Sequence, residues 1–256
     1  MRDPRIRPTL AILANAPSLR DRARALGGPA PVEGSDAQLD QTHPQGMLPQ
    51  VLAGQMAGVA AEHLFIWHLL LNQDVFPRYA HLTLLRSALE PAVTARWLLH
   101  GATTAARICR AVALLGQDMV EWRKIAASFE ASRPGVVTET LVDEQMAKSR
   151  ADVDCSEFPQ RVPSRSDRVR DHAVHPGAKS DWIYRVLSSP AHGNTISIST
   201  GEFGETLESN IPGTTARRVS PNTKLAFEAT GIVLQTVEAA IVDLERYTGT
   251  GQPPTG

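Results

Sequence analysis

Apolar residues recur along much of this chain at spacings of three and four. From about 49 to 72, Val51, Leu52, Met56, Val59, His63, Leu64, Trp67 and Leu71 fall on one face of a helix. From about 78 to 100, Leu82, Leu85, Leu89, Val93 and Trp97 repeat the pattern with Pro91 among them. Proline removes a backbone donor and crowds the preceding turn, so a kink is expected after Ser87. A third helix is expected over about 103–132, ended by Pro134-Gly135, and a shorter one over about 139–150. Prolines and charges between 152 and 177 leave room for at most one short helix, about 166–174. Another helix should run from Ser180, capped with the help of Asp181, to Ser189, where Pro190 stops it. Residues 195–200 alternate Ile with polar side chains, the pattern of a short extended ribbon turning at Gly201 or Gly204. The last helix, about 222–247, carries Leu225, Ala229, Ile232, Thr236, Ala240 and Ile241 on its inner face.

Together these elements predict an all-α fold, a helical bundle of four to six helices with a short extended ribbon before the last helix. The bundle is expected to be a single domain over 49–248. Residues 1–48, rich in Pro, Gly, Arg, Asp and Gln, with a short helix at most around 18–26, read as a mobile tail, and 249–256 as a second one. No repeat of 20–50 residues and no sustained heptad is visible.

Charge sharpens this reading by exclusion. Lys and Arg number 26 against 27 Asp and Glu, so the chain lacks the basic excess of a dedicated nucleic-acid binder, although a local patch survives that test. Cys109 and Cys155 lie far apart without a partner motif, which fits a reducing compartment and argues against a disulfide framework or a Cys-rich zinc site. The start of the chain imitates a secretory signal, but its apolar run, Leu10 to Ala14, is short and Pro17 follows the would-be cleavage site. The most lipophilic window, 51–71, contains Gln55, Glu62, His63 and His68, and reads as a buried helix rather than a membrane span. A cytoplasmic location without membrane association is the expectation. No cofactor is expected, since neither a Gly-rich phosphate loop after a strand nor a Gly-x-Ser-x-Gly elbow is present. Metal is not expected either: His63 and His68 leave different helix faces, and His172-x-x-His175 lacks the spacing of a recognised zinc set.

One phrase carries candidate chemistry. Tyr184-Arg185-Val186-Leu187-Ser188-Ser189-Pro190-Ala191-His192-Gly193 places Arg185 and His192 on either side of a helix end. Together with Leu85-Arg86-Ser87-Ala88-Leu89-Glu90 upstream, it resembles a group of bacterial all-helical proteins of unassigned activity and, more distantly, the HEPN superfamily. That resemblance covers about 48–247. It implies a homodimer in which Arg and His from two protomers meet across a cleft and cleave RNA without metal. His192 would then move the proton of the ribose hydroxyl or leaving oxygen, Arg185 would clamp the phosphate, and Glu90 would orient the Arg.

Arg170 and Arg168 make the same kind of pair with His175. The alternative for 185 and 192 is structural, Arg185 in a salt bridge and His192 on helix-end carbonyls. Arg86 and Glu90, four apart, either pair with each other or leave Glu90 to reach Arg185. Arg161, Arg165, Arg168, Arg170 and Lys179 form a basic stretch among Asp167, Asp171 and Asp181, either a solvated loop or a contact for an RNA backbone. The functional expectation is accordingly a HEPN-like dimeric interaction module, with a metal-independent endoribonuclease as the alternative. Small-molecule binding inside the bundle is a third reading.

Overall fold

The computed structural model describes residues 4, 6–26, 30–77, 79–132, 144, 147, 153–158, 161–191, 204–208, 215–219 and 223–251. The periodic segments are helical as expected. They form α4 (Leu48–Asn72), α5 (Ala80–Leu99), α6 (Thr104–Ser132) and α9 (Thr223–Thr248), after α1 (Arg7–Ile12), α2 (Ala16–Leu26) and α3 (Asp36–Gln41). Two shorter helices, α7 (Arg165–His172) and α8 (Ala178–Ala191), precede an antiparallel pair of strands, β1 (Gly204–Glu208) and β2 (Thr215–Val219), in which Thr206 faces Arg217. The fold is an all-α helical bundle. A ribbon stands before the last helix at β1 and β2; the expected 195–200 fall outside the described residues, as does the helix expected over 139–150 apart from Glu144 and Ala147.

α5 sits at the centre, packed against α4 on one side and α9 on another, with α7 and α8 across its remaining surface. Its neighbours can come close because the facing stripes are small: Ala53, Ala57, Ala60 and Ala61 on α4, and Ala88, Ala92 and Ala95 on α5, are all fully buried. Leu64, Leu71, Leu82, Leu85, Leu89, Val233, Val237 and Ile241 fill the space between them. Trp67, fully buried, donates from Nε1 to Thr230 Oγ1 at 3.1 Å, so the one polar atom of its ring is satisfied inside the core. α5 continues through Pro91 without interruption. Its Glu90 carbonyl accepts from Thr94 Oγ1 at 2.7 Å. α9 is long and apolar enough to span a membrane, and its apolar face is buried against α5 and α4.

The segment 1–48, expected to be a mobile tail, instead supplies part of the core in its described residues. Ile6, Thr9, Leu13, Ala16, Leu19, Ala23 and Leu26 are buried at spacings of three and four. Arg22 grips Glu245 of α9 with two hydrogen bonds of 2.9 and 2.8 Å. Pro8 in α1 and Pro17 in α2 sit in first helical turns, where the missing N–H costs no intrahelical bond and the fixed φ suits the helix. α3 begins at Ser35, whose side chain caps Gln38 N, and ends beside Gly46, whose position would drive a Cβ to 1.8 Å from Asp40 O. α8 also begins earlier than expected. Gly177, with φ of 103°, turns the chain into it, and Ser180 donates its hydroxyl to His175 O rather than capping the helix from outside.

Cys109 and Cys155, expected to be unpaired, form a disulfide with a Cα–Cα distance of 5.6 Å. They are 46 residues apart, and only the packing of the 153–158 segment against α6 joins them. This pairing removes the cysteine argument for a reducing compartment.

Candidate functional site

Arg185 projects into solvent from α8, its side chain 72% exposed, and pairs with Asp181 one turn back at 2.8 Å. That ion pair lies within one helix and leaves Arg185 apart from Glu90. His192 lies outside the described residues. Arg170 is exposed and held by Asp171 and Asp167, both at 2.9 Å, while His175 Nε2 donates to Gln235 Oε1 at 2.9 Å.

Glu90 is instead drawn into a network of its own. It accepts from Arg86 Nε at 2.6 Å and from the hydroxyl of Tyr184 at 3.0 Å, with Arg165 Nε at 3.5 Å from its second oxygen. Burial, with the nearby carboxylate reinforcing it, holds the Tyr184 phenol above its ordinary pKa, so it remains a donor to Glu90. The residue beside Arg185, not Arg185 itself, therefore completes the contact across the bundle. Helical phase explains the exchange: Tyr184 and Leu187 face α5 while Arg185 lies about 100° further round.

Arg165 leads from this network to a cavity of about 430 Å³ that opens beside it. Ala113, Gly116, Gln117 and Val120 of α6 form one wall, and Arg161, Val162, Pro163 and Ser164, with Arg165 and Arg168 of α7, form the other. Both walls follow from local sequence rules. Positions 113, 116, 117 and 120 share one helix face, and Ser164, accepting from Asp167 N, starts α7 so that residues 165 and 168 project from its first turn.

Arg168 is the unusual member. Only 6% exposed, it gives one hydrogen bond to Pro163 O at 2.7 Å, its Nε finds no partner, and no carboxylate forms an ion pair with it among the described residues. Burial and repulsion from Arg165 push its pKa down, against weaker opposing pulls from Glu90, Tyr184 and Asp118. Arg161 is exposed and likewise makes no ion pair among the described residues. A buried guanidinium costs free energy unless a counter-charge satisfies it, and here two further guanidinium groups share the same cavity. Such an arrangement suits an anion, with Gln117 and Ser164 as polar neighbours and Val120, Val162 and Pro163 as apolar surface.

At the other end of α7 a second polar cluster joins three helices. Asp243 of α9 receives Arg96 Nε of α5 and Nε2 of His100, which caps the end of α5, both at 2.9 Å, and Arg96 also donates to the carbonyl of His172 at 2.6 Å. The rings of His100 and His172 lie 5.6 Å apart. Burial and the surrounding cations hold the His172 imidazole down, at about 4, so it is neutral at pH 7. Arg96 and His100 spend their hydrogen bonds on Asp243 and the His172 carbonyl, so the cluster works as an interhelical clamp. No group of three or more His, Cys, Asp or Glu among the described residues is placed to hold a metal ion.

The sequence marks Arg161, Arg165 and Arg168 as part of a basic stretch but not their convergence on the face of α6. Its only signal was their spacing of four and three residues at a helix start, which many solvated helices share. Comparison of the chain with family models, with curated proteins and with solved structures finds no match in any of the three.

Proposed function

We propose that this protein is a binding module that takes a small anionic molecule, a phosphate ester or a carboxylate with a compact apolar body, in the arginine cavity between α6 and α7. The buried Arg168, without a carboxylate partner among the described residues, carries the reading. The volume of about 430 Å³ matches a small-molecule site and is too confined for a helical nucleic acid. Catalysis by Arg185 and His192 gains nothing from the placement of Arg185, which is committed to Asp181. The homodimer expected from the HEPN resemblance draws support from Val59, Ile66 and Leu69, an exposed apolar row on one side of α4.

Calorimetric titration with inorganic phosphate and with phenyl phosphate at constant ionic strength tests the proposal. Both should bind, phenyl phosphate more tightly, and Arg168→Met should weaken each by roughly tenfold or more. The same substitution should leave unfolding by urea unchanged or shift it to higher concentration, because it removes a buried charge and leaves no partner charge unpaired. Wild-type protein that takes up neither ligand, or an Arg168→Met variant with undiminished affinity, refutes the reading.

A further inference from the structure

A disulfide, Cys109–Cys155, joins α6 to the segment that leads into the opposite wall of the arginine cavity. On α6, Cys109 precedes Ala113 by one turn and Gln117 by two, which places it on the stripe that lines the cavity, and it is buried. Cys155 stands six residues before Arg161, where the opposite wall begins, and is half-buried. From Asp154 to Phe158 the chain makes a compact turn, with Phe158 N donating to Cys155 O at 3.1 Å and Ser156 N to Asp154 Oδ1 at 2.9 Å. The disulfide therefore ties the arginine-bearing wall to α6 by a short tether.

That wall needs holding. Arg165 and Arg168 repel each other, and Arg161 adds a third positive charge to the same cavity. Against this stand the burial of Val162, the hydrogen bond from Arg168 to Pro163 O, and the Ser164 cap.

We propose, resting on the anion-binding reading above, that the Cys109–Cys155 disulfide is a redox latch that sets the affinity of this cavity for its anion. Oxidised, it keeps the three guanidinium groups converged. Reduced, the covalent tie between α6 and the 153–158 segment is lost, and the wall is held against α6 by packing alone. Losing that short tie lowers the effective concentration of the wall at α6, with anion binding expected to weaken roughly tenfold. The reductant is a dithiol. Its thiolate attacks Sγ of Cys155, the more accessible sulfur, and releases the Cys109 thiolate; its second thiol then resolves the mixed disulfide. Two electrons and two protons pass to the cysteine pair, and the dithiol leaves as a cyclic disulfide. Linkage requires the converse as well: bound anion makes the disulfide harder to reduce by the same factor.

The test uses the full chain and inorganic phosphate. Affinity is measured by calorimetry for the air-oxidised protein, for protein reduced with uncharged dithiothreitol, and for Cys155→Ser with and without dithiothreitol. In parallel, the fraction reduced at fixed dithiothreitol ratios is followed by mass, with and without saturating phosphate. The latch predicts about tenfold weaker binding in the reduced wild type and in Cys155→Ser, no effect of dithiothreitol on that variant, and a phosphate-induced shift of the reduction equilibrium of about tenfold. Should Cys155→Ser fail to fold, the oxidised and reduced wild type decide the question alone. Equal affinities in those two states, both binding phosphate, overturn the latch and leave the anion site standing. Two free thiols in the air-oxidised chain also overturn it. An oxidised wild type that binds no phosphate overturns the anion site and the latch together.

Discussion

Asp40 is fully buried, and three groups hold its charge. Arg107 bridges both carboxylate oxygens, Nε at 2.8 Å and Nη2 at 2.6 Å, and the hydroxyl of Tyr247 donates to Oδ2 at 2.7 Å. These contacts pin the short α3 to the start of α6 and the end of α9. The charge is far too costly to bury alone, so removing the cation is worse than removing the pair. Arg107→Met is expected to destabilise the protein by about 3–5 kcal/mol in urea unfolding, while Tyr247→Phe, which removes one donor of three, should cost about 1–2 kcal/mol. A sequence shows each of these residues as an ordinary polar side chain, because partners 67 and 207 residues away leave no local mark. Arg168 differs from Arg107 in one respect: both are buried, but Arg107 has its carboxylate and Arg168 has none among the described residues.

Among elements, the junction between α3 and α4 sets where Asp40 sits. Gly46 passes so close to the carbonyl of Asp40 that a side chain there cannot be accommodated without moving the turn. Gly46→Ala is therefore expected to cost about 2–3 kcal/mol, and part of that loss should vanish in an Arg107→Met background, since both changes disturb the same ion pair; a double-mutant cycle in urea measures it. The long helices were legible because each buries a continuous stripe and the 3.6-residue period records this directly. α1 and α2 carry a buried stripe too, Ile6, Leu13, Leu19 and Leu26, of which only the part over 18–26 is expected as a short helix from the sequence, because glycines and prolines follow it. Proline in the first turn of a helix loses no intrahelical hydrogen bond, so Pro8 and Pro17 are compatible with helix starts.

For the molecule as a whole, buried histidines tie stability to pH. His81, 1% exposed, stacks on Trp67 and donates from Nδ1 to Pro77 O, and burial holds its imidazole down at about 4. Since the unfolded chain takes up this proton near 6.5 and the folded chain only near 4, stability should fall as pH drops through that window and level off below it. The loss from this residue is roughly 3 kcal/mol, and His81→Gln should remove that part of the slope in urea titrations at several pH values. Asp243 adds a separate limb. Burial raises its carboxyl, but the hydrogen bonds from His100 and Arg96 and their charges outweigh burial and leave it lowered, so its contribution is lost only below the ordinary carboxylate range. By itself, the sequence determined the all-α class, the four long helices and the basic character of 161–170, because helix periodicity and local charge are written in neighbouring residues. The tertiary structure alone decided that the N-terminal segment joins the core, that Cys109 meets Cys155, that Glu90 meets Tyr184, and that three arginines converge on one cavity, because each depends on the phase and docking of helices far apart in the chain.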